Sequence, residues 1–466
     1  MSIATSLELQ RAIGAAVEQV RDVGEPVVVS CSLDVPPVED PVALAGRWQT
    51  GGHGFLWQRP ADRLAIVAGG ATAVACAAGP TRFAALSAQC RSWRERIVCV
   101  GRPATGPTFV GGFAFADHGT DDGPWAGFPA GRMILPAWML MQQGAQATLT
   151  FNLAVDRAMA VADIAQEFGR EIAAFDASSD HRAREAAPSV RAPCETEAVP
   201  SVVEWQHAVG QTVADIRRGA LQKLVLARSC RVRSSAAFNC ARVVRRLRGS
   251  HGTCTTFWIR SPEGDFVGAT PELLVRQAGE VVRTQAIAGS IARGVTAAAD
   301  RVLGDAMARS GKECAEHAVV VRALREALAP LCRSLEVAPA AQVLPLAHVQ
   351  HLLTTLEGRL AGRYGVLDVV ARLHPTPAVG GYPREAALTM LRERETIDRG
   401  WYAGPIGWTR GEAEGEFAVA LRCALIRGGE AVLYAGAGIV ADSDPEAELA
   451  ETRLKFQALL SALREC

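Results

Sequence analysis

Short runs of apolar residues, of the length of buried strands, recur along the first part of the chain. They include residues 27–32, 64–67 and 148–151. Glycine-rich segments such as Gly111 and Gly112 predict turns between such runs. Residues 176–200 carry no sustained apolar period and are rich in Ala, Ser, Pro and charge, which is typical of a flexible loop or linker. The pattern therefore predicts a variable, strand-rich part over residues 1–175, ahead of a denser part over residues 201–466.

Helical and strand patterns alternate through the second part. Apolar spacing predicts a helix over residues 205–220, which runs into a strand beginning at Lys223. Further helices are predicted over residues 312–328, 365–372 and 446–463. Further strands are predicted over residues 254–260, 266–268, 273–276, 417–426 and 431–436. Consecutive strands joined by short turns favour antiparallel sheets covered by helices, an α+β fold.

The charge balance and the absence of long apolar segments narrow the class of protein. Lys plus Arg is 49 and Asp plus Glu is 49, so no basic excess points to nucleic acid. Apolar runs fall short of the ~20 residues of a membrane helix, and the N-terminus lacks the pattern of a signal peptide. The twelve cysteines form no CxxC pair, which argues against zinc. We therefore expect a soluble, cytoplasmic protein that binds neither nucleic acid nor membrane.

Two pairs of glutamates have helical spacing. Glu313 and Glu316 share one face of a predicted helix, and Glu448 and Glu451 repeat the spacing on the last helix, where Lys455 follows one turn later. Two helices that each present two carboxylates would suit Mg²⁺, which prefers oxygen ligands. A single glutamate pair of this spacing is more often a solvated helix face, so the spacing alone leaves both interpretations open.

Three further titratable residues are candidates for chemistry. Lys223 stands at the mouth of an apolar run, where an edge-strand lysine that opposes aggregation is the ordinary interpretation. Glu272 falls between a turn and a strand, where it is either an ordinary turn acid or a partly desolvated, protonated one. His351 is placed on an apolar helical stretch, which by default makes it a core histidine.

In order along the chain, several segments resemble the chorismate-utilising enzyme family. They are residues 223–228, 268–274, 286–290, 312–317, 373–381, 399–407, 420–422, 434–440 and 451–455. The first part resembles only the isochorismate synthase branch, and more loosely, through residues 111–115 and 131–136. The resemblance implies one large domain over residues 1–466. It would contain two antiparallel sheets packed face to face, with helices on the outside and the active site in a cleft.

The resemblance also implies a Mg²⁺ site. By motif position, Glu316 and Glu451 would contact the ion, and Glu313 and Glu448 would act directly or through its waters. The ion would in turn hold the ring carboxylate of chorismate, the implied small-molecule substrate.

The remaining motif positions imply a substrate pocket. Tyr402, Arg422, Gly436 and Lys455 fall where family members bind the carboxylates of the substrate. The same resemblance makes Gly289 and Ser290 part of the pocket lining and places His351 against the ring.

The mechanism implied by the resemblance is an allylic displacement. Lys223, as the neutral amine, would take a proton from water, and the water would attack ring carbon 2. Glu272, kept protonated, would donate its proton to the hydroxyl that leaves carbon 4. Base and acid must then lie on opposite sides of the substrate.

The residues at three positions distinguish among the activities found in the family. Lys223 disfavours anthranilate synthases, which have glutamine there and use ammonia, and aminodeoxychorismate synthases typically have lysine where this chain has Ala288. Salicylate synthases carry threonine where this chain has Ala378. We therefore predict a monomeric or dimeric isochorismate synthase, with a salicylate synthase as the alternative. A chorismate-binding regulatory or scaffold protein would be expected to have lost Lys223 or a metal glutamate, and neither is lost.

Overall fold

The computed structural model describes residues 3–48, 52–101, 106–119, 122–177, 194–347 and 349–465. Within these residues two β-sheets pack together and helices cover them, so the predicted α+β class is confirmed. No helix of this part of the chain is both long and apolar enough to span a bilayer.

The first sheet contains thirteen of the strands in the described residues. In chain order they are β1 (Val27–Val35), β2 (Gly54–Arg59), β3 (Leu64–Gly69), β5 (Ile97–Gly101), β8 (Trp138–Gln143), β9 (Gln146–Val155), β10 (Cys194–Val199), β11 (Lys223–Ser234), β12 (Thr255–Ser261), β13 (Gly264–Thr270), β19 (Gly381–Tyr382), β22 (Cys423–Arg427) and β23 (Glu430–Ile439). The spatial order is β10-β11-β23-β22-β13-β12-β2-β3-β8-β9-β1-β5, and β19 pairs with β11.

The second sheet contains ten strands of the described residues. They are β4 (Ala73–Cys76), β6 (Thr108–Phe113), β7 (Gly131–Leu135), β14 (Leu273–Ala278), β15 (Val281–Ala292), β16 (Cys332–Val337), β17 (Gln342–Pro345), β18 (Val349–Leu360), β20 (Pro405–Arg410) and β21 (Glu414–Val419). The order is β16-β18-β15-β14-β21-β20-β6-β7-β4, and β17 pairs with β18. The expectation of purely antiparallel sheets needs one correction, because β1 and β5 are parallel.

The described residues contain ten α-helices. They are α1 (Ile3–Val23), α2 (Arg82–Glu95), α3 (Val161–Ala177), α4 (Val202–Arg217), α5 (Cys240–Ser250), α6 (Ala297–Arg309), α7 (Gly311–Leu328), α8 (Val366–Leu373), α9 (Arg384–Arg394) and α10 (Pro445–Arg464). The last helix begins within one residue of the predicted start at residue 446: the side chain of Asp444 accepts the backbone N–H groups of Glu446 and Ala447, and Pro445 opens the first turn.

Two buried clusters hold these layers together. One contains residues of both sheets, such as Trp57 and Phe257 of the first and Phe113 and Phe417 of the second, as expected for sheets packed face to face. The other joins the first sheet to α1, α3, α5 and α10, with Phe456 of α10 among its members. Strands from both parts of the chain pair directly, since β2 lies beside β12 and β6 beside β20.

Three predicted elements are wrong in detail. Residues 417–426 form two strands in different sheets, because Arg422 adopts a left-handed conformation with φ of 48° and turns the chain between them. His351 lies on strand β18, since an apolar run this short is compatible with either strand or helix. Gly111 and Gly112 lie within β6: a Cβ at 111 would approach the carbonyl oxygen of Arg132 to 2.0 Å, so glycine serves close strand packing there.

The predicted linker over residues 176–200 is replaced by regular structure at both ends. Helix α3 continues to Ala177, and β10 occupies Cys194–Val199 at the edge of the first sheet. The intervening residues 178–193 lie outside the described residues.

Candidate active site

One cavity brings together most of the side chains that the sequence singles out. Twelve of the fourteen predicted site residues line it: Lys223, Glu272, Gly289, Ser290, Glu316, His351, Ala378, Tyr402, Arg422, Gly436, Glu451 and Lys455. Glu313 and Glu448 do not line the cavity but lie beside its walls. Glu313 accepts the backbone N–H of Ser290 at 2.9 Å, and Glu448 is buried three residues before Glu451 on α10.

Lys223 is a buried side-chain amine with one carboxylate partner. It opens β11, is 1% exposed, and its Nζ donates to Oε1 of Glu316 at 2.8 Å. A Cβ on Gly438 of the neighbouring strand would lie 2.8 Å from that oxygen and 2.9 Å from Cε of Lys223, so glycine at 438 leaves room for the pair. The interpretation of Lys223 as an edge-strand lysine is wrong, because β11 lies between β10 and β23 and the lysine faces Tyr382 of β19.

Glu272 is a buried carboxyl group between β13 and β14, 4% exposed. Burial raises its pKa to about 7, although the positive charge of Lys223 acts in the opposite direction. The hydroxyl of Thr376 lies beside the carboxyl group, but without a hydrogen bond of good geometry. Glu272 is therefore not an ordinary turn acid, because burial favours its protonated form.

Arg422 and His351 form a linked pair in the wall of the cavity. Because arginine only donates, Nε2 of His351 accepts from Nη2 of Arg422 at 3.1 Å, and Nδ1 of the imidazole donates to the carbonyl oxygen of Gly289 at 2.9 Å. Burial and then the charge of Arg422 lower the pKa of His351 to about 3, so the imidazole is neutral. Arg422 forms no ion pair with a carboxylate of the described residues, so its guanidinium is available to an anionic ligand.

Lys455 and two tyrosines complete the lining next to strand β23. Nζ of Lys455 donates to the carbonyl oxygen of Gly436 at 2.8 Å and pairs with Oε1 of Glu451 at 2.7 Å. Tyr402 stacks on Tyr434 with ring centroids 5.2 Å apart, and a Cβ on Gly436 would lie 2.9 Å from the Tyr402 hydroxyl oxygen. A side chain at position 436 would come too close to the Tyr402 hydroxyl. Glycine there lets the backbone and Lys455 face the cavity.

Comparison with known proteins identifies the family of this chain. A family model described as chorismate binding enzyme matches residues 15–464. The chain belongs to this family. The predicted resemblance to chorismate-utilising enzymes of the isochorismate synthase branch is thus confirmed.

Relatives within the chorismate-binding enzyme family match over nearly the whole chain. The salicylate biosynthesis isochorismate synthase of Pseudomonas aeruginosa is 37% identical, over 97% of this chain and 93% of that protein. The isochorismate synthase MenF of Bacillus subtilis is 32% identical over 96% of both chains. The solved structure of MenF, the menaquinone-specific isochorismate synthase of Escherichia coli, superposes with a TM-score of 0.78 at 27% identity and covers 97% of this chain and all of the other.

The positions of the lysines in the sequence indicate the same active-site cavity. Only three of the 49 Lys and Arg residues are lysines: Lys223, Lys312 and Lys455. Each lies beside a predicted metal-site glutamate, Lys223 at Glu316, Lys455 at Glu451, and Lys312 with its Nζ 3.8 Å from Oε1 of Glu448. All other basic residues of this kind are arginines, so the compact amine of lysine occurs only beside these carboxylates. This scarcity is a sequence signal that would have identified Lys312, which pattern reasoning missed.

The four glutamates fit a hard divalent cation by their donor chemistry. Burial and then the charges of Glu451 and Glu316 raise the pKa of Glu448 to about 7, and burial and then Glu316 raise that of Glu313. Carboxylates that raise each other's pKa in this way repel one another, and a divalent cation would relieve that repulsion. Within the described residues, however, no three His, Cys, Asp or Glu side chains converge closely enough to ligate one ion, and three of the carboxylates are paired with lysines.

Several lining residues were not predicted as site residues. They are Val225, Pro271, Ile287, Ala288, Val379, Leu421, Tyr434, Ala435 and Gly438. Most stand inside or next to the family segments and are apolar or glycine, so their residue types alone carry no chemical signal. Tyr434 is the exception: its hydroxyl accepts Nε1–H of Trp125 at 2.8 Å, a contact between residues 309 apart that no local pattern reveals.

Proposed function

We propose that this protein is an isochorismate synthase that converts chorismate to isochorismate with Mg²⁺. The observation that carries the proposal is the placement of Lys223 and Glu272, a buried amine and a buried carboxyl group, in one cavity that also holds Arg422 and Lys455. The full-length similarity to proteins named isochorismate synthases supports it.

Chorismate is a dicarboxylate, and two cations of the cavity suit its two negative groups. Arg422 has no carboxylate partner among the described residues, and its Nη2 is held by the neutral imidazole of His351. Its guanidinium is therefore oriented to bind a carboxylate of the substrate. Lys455 is the second receptor, next to the carbonyl oxygen of Gly436. Holding the substrate by both ends would align the ring with Lys223 and Glu272.

The chemical step needs one proton accepted and one donated. The neutral amine of Lys223 takes a proton from water as the oxygen bonds to ring carbon 2. The ring double bond shifts, the bond between carbon 4 and its oxygen breaks, and the Glu272 carboxyl group donates its proton so that water leaves. Exchange with solvent then returns the proton from Lys223 to Glu272.

The glutamates of α7 and α10 are proposed to hold Mg²⁺, with Glu316 and Glu451 as ligands and Glu313 and Glu448 acting directly or through water. When bound, the ion would neutralise the ring carboxylate of the substrate and fix its orientation. Of the four, Glu316 and Glu451 line the cavity and could reach both ion and substrate.

Incubation of the protein with chorismate and Mg²⁺, with products separated by chromatography over time, tests the function. We expect isochorismate to accumulate, in equilibrium with chorismate, and little or no salicylate to form. Salicylate as the main product would support the alternative of a salicylate synthase. Binding of chorismate without any turnover would support a regulatory or scaffold protein.

The product should depend on Ala378, a half-buried residue of the cavity wall. Salicylate formation requires loss of the pyruvyl group from bound isochorismate, which needs one particular orientation of the intermediate. Alanine offers neither a hydroxyl nor a branched methyl to impose it, and a shift near 1 Å is worth about 10²-fold in rate. We therefore expect Ala378→Thr to raise the salicylate fraction measurably. Ala378→Val is the matched control, since it has the same shape without the hydroxyl; an unchanged product ratio in both variants would mean that position 378 only packs.

Turnover should also depend on pH through Glu272. Its pKa is raised to about 7 by burial, so the protonated acid is present below that pH and is lost as the pH rises through it. We expect kcat at saturating chorismate to fall on the alkaline side of about pH 7. Rates measured from pH 5.5 to 9 check this, and a flat or rising profile above pH 7.5 would contradict the role of Glu272 as the acid.

A further inference from the structure

Arg399 makes a dense set of hydrogen bonds just outside the cavity, which it does not line. Its Nε donates to Oε2 of Glu395 at 2.7 Å, and the two side chains are only 4% and 8% exposed. Nη1 donates to the carbonyl oxygen of Val379 at 2.7 Å, and Nη2 donates to that of Val225 at 2.6 Å as well as to Oε1 of Glu395. The guanidinium also lies over the ring of Phe115, with its Cζ 4.1 Å from the centroid.

The groups that Arg399 holds are backbone atoms of two walls of the active site. Val225 follows Lys223 by two residues on β11, and Val379 follows Ala378. Both valines line the cavity. Glu395 extends the connection, because its Oε1 accepts the backbone N–H of Ala227, also on β11, at 2.7 Å.

The segment around Ala378 depends on these contacts to dock against β11. The backbone N–H of Val225 donates to the carbonyl oxygen of Gly380 at 3.0 Å, and β19 pairs with only two residues of β11. A Cβ on Gly381 would lie 2.4 Å from the carbonyl oxygen of Lys223, so the segment approaches the base's own backbone. Arg399 adds side-chain hydrogen bonds across this short pairing, because it donates to the carbonyl oxygens of both Val379 and Val225.

We infer that Arg399, together with Glu395, is a positioning residue for the reaction: it sets the wall of Ala378 and Val379 against the strand that carries Lys223. This inference rests on the proposed function. Only arginine can make these contacts together, because its planar fork donates to a carboxylate and to two carbonyl groups at once, whereas lysine is a single point charge. Arg422 and Lys455, the proposed carboxylate receptors, make no hydrogen bond to Arg399 or Glu395, so substrate affinity should be separable from turnover.

Arg399→Lys and Glu395→Gln test the inference, because each keeps the size of the side chain and removes part of the network. We expect kcat to fall at least about tenfold in each, on the scale of positional errors below 1 Å, with KM within about threefold of wild type. Arg410→Lys is the matched control: Arg410 pairs with Glu414 at the same four-residue spacing but away from the cavity. We expect wild-type kcat and KM there. Variants of Arg399 and Glu395 that lose thermal stability but keep wild-type kcat would assign the network a merely structural role and overturn the inference.

A second measurement reads the position of Lys223 without any turnover. The chain has only three lysines, so an amine-selective acylating reagent followed by peptide mass spectrometry reports on Lys223 individually. If Arg399 holds the wall over β11, Lys223 should be acylated several-fold faster in Arg399→Lys and Glu395→Gln than in wild type and Arg410→Lys. Equal rates in all four proteins would overturn the inference. A wild-type protein that converts no chorismate would refute the proposed function instead, and the acylation rates would still decide whether Arg399 positions this wall.

Discussion

Replacing Lys223 by alanine is expected to lower kcat by about 10²-fold or more, with the protein still folded, because a general base contributes on that scale. Removing the side chain also leaves Glu316 without its buried partner, so the variant is compared with wild type by thermal unfolding before rates are interpreted. The measurement is the initial rate of isochorismate formation at saturating chorismate and Mg²⁺.

Lys223→Arg separates the base from the charge. Arginine keeps a cation beside Glu316 but does not deprotonate in proteins, so it should be as inactive as alanine if the neutral amine takes the proton. A substantially active Lys223→Arg would show that only positive charge is needed at position 223, and near-normal turnover in a folded Lys223→Ala would remove the residue from the mechanism.

Glu272→Gln is expected to cause a loss of similar size by a different route. The amide keeps the shape of the carboxyl group and can donate a hydrogen bond, but it cannot transfer a proton to the leaving hydroxyl. The burial of Glu272 makes the variant informative, since burial favours the neutral form of this side chain and a neutral glutamine of the same shape should fold normally. A folded Glu272→Gln with wild-type kcat would exclude this residue as the acid.

Removal of divalent metal is the second change expected to abolish activity. Excess chelator should bring turnover to background, and added Mg²⁺ should restore it, because the substrate carboxylate would otherwise face Glu316 and Glu451 without a divalent cation between them. Glu451→Gln should raise the Mg²⁺ concentration for half-maximal activity by at least about tenfold, the scale on which weakened metal sites lose affinity. Mg²⁺ titration by calorimetry provides a readout that does not depend on turnover.

The choice of glutamate and of control decides how clearly the metal experiment can be interpreted. Glu316→Gln would leave the buried Lys223 without its carboxylate partner, and breaking a buried pair costs about 3–5 kcal/mol. Glu451, whose ion pair with Lys455 is partly exposed, is therefore the better first variant. Glu446→Gln is the matched control, an exposed glutamate in the first turn of the same helix. Full activity in excess chelator, or equal Mg²⁺ responses of Glu446→Gln and Glu451→Gln, would contradict the proposed metal site.

Much of the fold and of the site could be predicted from local features of the sequence. The glutamate pairs could be placed on helices because i, i+3 spacing has a direct geometric meaning, and the helix start at Asp444 and Pro445 could be predicted because capping is local. The alternation of short strands with helices was sufficient to predict the α+β class, and the family segments, in their order along the chain, were sufficient to predict the family.

Other features could not be predicted because they depend on residues far apart in the chain. A short apolar run is compatible with helix or strand, so the strand under His351 was settled only by its pairing with β15 and β17. The break at Arg422 was hidden because a left-handed residue in the middle of an apolar run leaves no periodic signal.

The sequence by itself determined which chemical groups the protein has and on which local elements they stand: the three lysines, the paired glutamates, and Glu272 next to a turn. Only the tertiary structure decided how these groups behave. Burial, which raises the pKa of Glu272 to about 7 and keeps His351 neutral, is a property of the whole packed fold. The network of Arg399 likewise joins β11 to a segment some 150 residues away in the chain, and such a contact exists only once the chain has folded.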